Sequence, residues 1–208
     1  MSKPQVFSEY DPAVPDACER VLVSLFAAIG PWRESIYLVG GLTPRYLVKA
    51  KPPKIRAHAG TGDVDVVIDQ VILATTEAYR TLEDNLKALG FERATNKGVV
   101  VNWRWQIRTA EGVLVVLEFL SDDPELAGGK LQELKTDGNL SAINIPNASL
   151  VYDFYDTIQL DADRLDGGGR TTQSIRHADI VSFICLKAFA FDHRKERKDA
   201  HDLLYCLE

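Results

Sequence analysis

The chain has 208 residues, 46% apolar and 26% charged, the balance of an ordinary soluble globular protein with room for one large domain or two small ones. Its formal net charge of -6 argues against non-specific nucleic-acid binding by the chain as a whole and leaves a local basic patch open. Cys18, Cys185 and Cys206 are odd in number, widely spaced and without a CxxC pair, so neither a disulfide framework nor a zinc site is supported. Cys185 lies in an apolar run and reads as a small core residue. No basic-then-apolar start suggests a signal peptide, and no apolar run reaches membrane-spanning length. The expected setting is a reducing cytoplasm, with no membrane partner.

In chain order, residues 1–12 read as a loose tail. From Val14 to Ile29 apolar residues recur at helical spacing, and Gly30-Pro31 ends the helix. Residues 35–39 form a short apolar strand, closed by Gly40-Gly41. Leu42 to Val48 reads as a short helix with Pro44 in its first turn. Lys49 to Gly62 is a basic loop containing Pro and Gly. Asp63 to Ile68 is a strand, and Ala74 to Leu89 a helix capped by Gly90. Val99 to Arg108 and Val113 to Leu120 alternate around a turn at 109–112, a predicted hairpin. Residues 121–140 form a loop-rich excursion. Ser149 to Gln159 and Arg170 to Ile175 read as strands separated by Asp166-Gly167-Gly168-Gly169. Ala178 to Leu207 is one long helix or a pair. The predicted class is α/β (α+β): a small mixed sheet flanked by helices, with a helical C-terminal part. The expected division is a core over 1–165 and a strand-and-helix part over 166–208 that completes the site, or one domain throughout.

Asp63 and Asp65 are two apart on a strand, so their side chains share a face. Like charges there repel unless a cation sits between them, and magnesium takes a few carboxylates plus phosphate oxygens and water. The alternative is a solvated strand entrance. Glu118 lies in an otherwise apolar strand, where a lone carboxylate is costly to bury. It reads as a third carboxylate or an edge residue. Gly40 and Gly41 let backbone approach a ligand and expose amides to phosphate, or simply make a tight turn. On one continuous C-terminal helix, Lys187, Arg194, Lys198 and Asp202 stay within about 80° of one another, with Asp199 at the margin. That cationic face suits a triphosphate or an RNA backbone, or is a solvated helix end. Lys187 stands alone among Phe183, Ile184, Leu186 and Phe189 and calls for an anionic partner. Lys195 and Arg197 read as solvated. His58, His177, His193 and His201 lack joint metal-ligand spacing. No GxSxG and no GxxxxGK[ST] element is present. Trp103 and Trp105, on either side of Arg104, suit sheet packing better than base stacking.

These residues resemble the nucleotidyltransferase superfamily: a glycine pair after a strand, a D-x-D strand, and a third acidic strand residue. More narrowly, the chain resembles the AbiEii/AbiGii-type nucleotidyltransferase toxins. The matching elements are Leu38-Val39-Gly40-Gly41, Gly60-Thr61-Gly62-Asp63-Val64-Asp65 and Leu117-Glu118-Phe119-Leu120. At the C-terminus Leu186-Lys187-Ala188-Phe189-Ala190, Arg194 and Lys198-Asp199-Ala200-His201-Asp202-Leu203-Leu204 also match. The resemblance implies transfer of a nucleoside monophosphate from a nucleoside triphosphate (NTP), with Mg2+ or Mn2+, to an acceptor such as the 3′ end of tRNA, with pyrophosphate released. It implies phosphate or nucleotide contacts from Gly40, Gly41, Thr61, Lys187, Arg194 and Lys198. Asp63, Asp65 and Glu118 would be metal ligands, Glu118 also the candidate base, with Asp199 or Asp202 assisting. A cognate antitoxin would be a partner. Two departures are a long basic connection between Gly41 and Asp63, which suits acceptor RNA or is a plain link, and Glu rather than Asp at 118. Two rivals stay open: transfer to a protein hydroxyl or a small molecule such as an antibiotic, and a non-catalytic nucleotide- or partner-binding module.

Overall fold

The computed structural model describes residues 11, 13–49, 54–55, 57–69, 76–132 and 140–207, with 31 and 76–81 described by their backbone. Most of the expected tail, positions 50–53 and 56 of the basic loop, the first two residues of the 74–89 helix and positions 133–139 lie outside them. The helices are α1 (Ala13–Ala28), α2 (Pro44–Leu47), α3 (Thr76–Ala88), α4 (Leu150–Asp153), α5 (Ile180–Arg194) and α6 (Arg197–Leu207). The strands are β1 (Ile36–Val39), β2 (Asp63–Ile68), β3 (Glu92–Asn96), β4 (Val99–Arg108), β5 (Leu114–Ser121), β6 (Leu131–Gln132), β7 (Ala142–Asn144), β8 (Tyr155–Asp163) and β9 (Arg170–Ala178). They form one mixed sheet in the order β3-β4-β5-β2-β1-β9-β8, with β7 joined to β5 and β6. Pairings of β1 with β9, β2 with β5 and β5 with β7 are parallel, and the others antiparallel. A mixed sheet flanked by helices, with a helical C-terminal part, is the expected class. Among the described residues no helix is long and apolar enough to cross a membrane.

The strand period of two sorts the side chains into two cores. Val64, Val66 and Ile68 of β2 share one core with Leu38, Leu117 and Phe119 of its neighbours. The apolar stripe of α1, including Cys18, Val21, Leu22, Leu25 and Phe26, packs there. On the opposite face Tyr37, Val39 and Val67 pack with Val151, Ala178 and Phe183. That second face belongs to α4, α5 and α6. Asp63 and Asp65 precede Val67 in the same alternation, so they extend this face beyond its apolar part.

The structure differs from the sequence reading at 149–159 and in the added strands β3, β6 and β7, and it decides between the two forms left open for 178–207. The stretch 149–159 is not one strand: α4 forms first, and β8 starts at Tyr155. A short apolar run does not by itself separate strand from helix. Here Asp122 accepts hydrogen bonds from the Ser149 backbone N–H (3.1 Å) and hydroxyl (2.6 Å), which fixes the start of the turn. β3 is an additional strand, joined to β4 through Lys97 and Gly98, both at positive φ, the backbone of a two-residue hairpin. The C-terminal helix is a pair. Lys195 adopts a left-handed conformation (φ 54°), and its N–H caps α5 on the Phe191 carbonyl. At the other end of α5, Asp179 accepts from Ser182 N at 2.9 Å.

Candidate active site

Strand register assembles the carboxylate side. Val39 is opposite Asp65, Asp65 is opposite Glu118, and Glu118 is opposite Arg104. Asp63, opposite Val116, lies two residues before Asp65 on the same face. Glu118 is ion-paired to Arg104 at 3.1 Å, without hydrogen-bond alignment of the guanidinium Nε. β4 covers β5 through Glu118, and β7 takes its place from Leu120 onward. Gly40 follows β1 at φ +73°, and a Cβ there would overlap the Asp65 carboxylate. At Gly41 a Cβ would lie 2.8 Å from Lys198 Nζ and 3.3 Å from Thr61 Cβ. Both glycines are thus pressed against other residues of the expected site.

The cationic side comes from α5 and α6. The break at Lys195 removes the single continuous stripe inferred from helical offsets. Packing of the two helices brings the residues together instead. Lys187 Nζ lies 2.9 Å from Asp199 Oδ1 and 2.8 Å from Asp202 Oδ2. The anionic partner this lysine needed is therefore supplied by the chain. Arg194 grips Asp199 with two nitrogens, at 2.6 and 2.8 Å, a bidentate charge-assisted pair. Lys198 Nζ contacts both oxygens of Asp202, at 3.0 and 3.2 Å. Lys195 pairs with exposed Asp192 and belongs to the solvated surface, as expected.

A residue ranked low in the sequence completes this cluster. His58 is buried, its Nε2 is 2.9 Å from Asp202 Oδ1, and its Nδ1 accepts the Gly60 backbone N–H at 3.0 Å. No sequence spacing signals a contact across 144 positions. Burial holds the imidazole below its ordinary pKa, against the pull of Asp202. Burial would raise the two aspartates, but Arg194 and Lys187 hold Asp199 low, and His58, Lys187 and Lys198 hold Asp202 low. Burial would depress Lys187, yet Asp202 and Asp199 outweigh it and raise its pKa. Lys198 is depressed by burial and by the charge of Lys187. With His58 neutral, three cations face two carboxylates, and the cluster carries a net positive charge.

Between the two sides lies a cavity of ≈ 290 Å³. Asp65, Glu118 and Gly40 line it with Lys187 and Arg194, over an apolar floor that includes Val67, Leu120, Ile143, Ile145, Phe183 and Leu186. Trp103 also faces it, and Trp105 is buried in the core, its indole N–H donating to the Asn102 carbonyl at 3.1 Å. Arg194 is half exposed at the rim, and Asp65 acts electrostatically on both Arg194 and Lys198. The structure thus brings Asp65, Glu118, Gly40, Lys187 and Arg194 to one cavity. Asp199 and Asp202 adjoin it through Lys187 and Arg194, and Lys198 through Asp202, while Gly41 follows Gly40 and Thr61 and Asp63 lead along the chain into Asp65. Among the described residues no three His, Cys, Asp or Glu side chains are already gathered to hold a metal ion. The donor set nevertheless fits a hard cation: carboxylates on one strand face, beside a cavity with room for phosphate oxygens and water.

Among solved structures, the chain is similar to an antigenic nucleotidyltransferase-like protein from Paracoccidioides brasiliensis. The identity is 14% and the TM-score 0.49, covering 92% of this chain and 74% of that one. It is also similar to the lincosamide antibiotic adenylyltransferase LnuA in its lincomycin-bound form. There the identity is 11% and the TM-score 0.44, covering 89% of this chain and 96% of that one. Both are distant likenesses. No protein-family model matches the chain, and no curated protein matches it significantly.

Proposed function

We propose that this chain is a magnesium-dependent nucleotidyltransferase that moves a nucleoside monophosphate from an NTP to an acceptor hydroxyl. The observation that carries this reading is the pairing of opposite charges across one cavity. Asp65 and Glu118 stand on one wall, and the net-cationic Lys187–Arg194 side forms the other. A triphosphate with its cation needs both. Asp63 and Asp65, with Glu118, would hold magnesium or manganese, which when bound neutralises phosphate charge. The acceptor oxygen attacks the α-phosphorus, the bond to the pyrophosphate oxygen breaks, and the acceptor proton passes to a carboxylate, for which Glu118 is the candidate. Arg194, Lys187 and Lys198 offset the charge that builds on the departing pyrophosphate. Gly40 and Gly41 bring backbone close to the same wall.

The 3′ end of tRNA as acceptor, and a toxin role with a cognate antitoxin, rest on the sequence resemblance. A second reading, a small-molecule acceptor such as an antibiotic, is favoured by the apolar floor of the cavity. Incubation with each labelled NTP, magnesium and total tRNA tests the first reading. Ribonuclease-sensitive label is the expected product. Label that survives ribonuclease moves the acceptor to protein, and no transfer with any of the four nucleotides counts heavily against the enzyme.

A further inference from the structure

We propose that His58 is a positioning residue that fastens the carboxylate side of the site to its cationic side. It does so by holding Asp202 as the bridge between Lys187 and Lys198. The inference deepens the nucleotidyltransferase reading and rests on it for the identity of the ligand. A backbone N–H can only donate, so the Gly60 contact makes Nδ1 the acceptor and leaves the ring proton on Nε2, where it is donated to Asp202. Asp202 is fully buried and touches Lys187, Lys198 and His58 at once. Its two oxygens therefore have little freedom once the imidazole is in place.

The strap that carries His58 is itself fixed. The Cys18 thiol donates to the Thr61 carbonyl at 3.2 Å, which anchors the strap on α1. Gly60 has φ +78°, and a Cβ there would run into Pro15. The Thr61 hydroxyl accepts the Asp63 N–H at 3.2 Å, so the strap leads directly into the D-x-D strand. His58 is thus the point where the segment that places Asp63 and Asp65 is bonded to the helix that places the lysines. In the chain order these halves are far apart, and the imidazole joins them through one polar contact.

The test needs no turnover. In the intact protein, ¹⁵N spectra of the imidazoles should show the His58 proton on Nε2 at neutral pH. ¹H–¹⁵N ammonium spectra should show Lys187 and Lys198 protected from exchange. His58→Asn keeps an amide at the Nδ1 position but does not reach Asp202. It should shift both lysine signals and weaken binding of magnesium tripolyphosphate roughly tenfold, the size of one lost charge-assisted hydrogen bond. His58→Gln reaches the Nε2 position and should recover most of that loss, which a general loss of packing would not allow. His201→Asn, at an exposed ring stacked on His58, should leave both readouts unchanged. A proton on Nδ1, or lysine signals indifferent to His58→Asn, overturns the proposal. Lysine signals that respond in a protein that never binds tripolyphosphate support the fastening role and sink the nucleotidyltransferase reading instead.

Discussion

Gly40, directly after β1, lies so close to Asp65 of β2 that any side chain at position 40 would displace the carboxylate. Gly40 also sits at φ +73°, where an L-residue is strained. Gly40→Ala is expected to cost about 1–2 kcal/mol of stability. Nucleotide transfer should fall by about 100-fold, since a shift of roughly 1 Å in a positioned group suffices for that. Gly41→Ala should be milder, because its Cβ meets the end of the flexible Lys198 side chain. Label transfer beside thermal unfolding separates the two effects, and equal losses in both variants would contradict this account.

The carboxylate face makes a metal prediction. Chelation with EDTA should abolish label transfer, and added magnesium should restore it. Magnesium with a non-hydrolysable NTP should raise the Tm of the native chain, because a ligand that binds only the folded state stabilises it. Asp63→Asn and Asp65→Asn should fold, yet lose both the Tm increment and the transfer. A full magnesium increment in Asp65→Asn would remove this residue from the metal site.

The two buried aspartates should differ in their worth. Asp202 is enclosed and holds two lysines and His58. Its replacement by Ala leaves buried cations without compensation, at a cost of about 4 kcal/mol. Asp199 shares its load with Arg194, whose side chain is half exposed and can turn to water. Asp199→Ala should cost about 2 kcal/mol. Urea unfolding of both variants measures the order, and the reverse order would mean that Arg194 is held more tightly than its exposure suggests.

The sequence was most informative where the chemistry is local. Asp63 to Ile68 has the expected strand limits, because alternation puts Asp63, Asp65 and Val67 on one face and three core residues on the other. What stayed hidden depends on long-range contact. His58 gains its meaning only when α6 docks beside the strap, and Arg104 meets Glu118 only through the β4–β5 register. β3 is polar along most of its length, and its Lys97-Gly98 turn lacks the Asn-Gly or Asp-Gly signature of a tight hairpin. The break at Lys195 uses a left-handed non-glycine residue, so no glycine announced the end of α5. Lys187, Arg194 and Lys198 do come together, through Asp199 and Asp202, but not by the single-helix geometry from which they were singled out.

Acid unfolding should proceed in two stages. Burial holds the rings of His58 and His177 below the ordinary 6.5. As pH falls through about 6.5 the unfolded chain takes up protons there while the folded rings stay neutral, so the unfolded state binds more protons and stability declines. Asp199 and Asp202 are held below the ordinary 3.8 in the fold. Their stabilisation is present above the unfolded value and is lost as pH falls through the folded one. A shallow loss is therefore expected from about pH 6.5 downward, followed by a steeper one below about pH 4. His58→Gln should remove its share of the upper stage and leave that of His177. Asp202→Asn should blunt the lower stage. Urea midpoints measured from neutral to acid pH test the sign as well as the sites. A midpoint that stays flat between pH 7 and 5 in the native chain would show that neither ring is held neutral by burial.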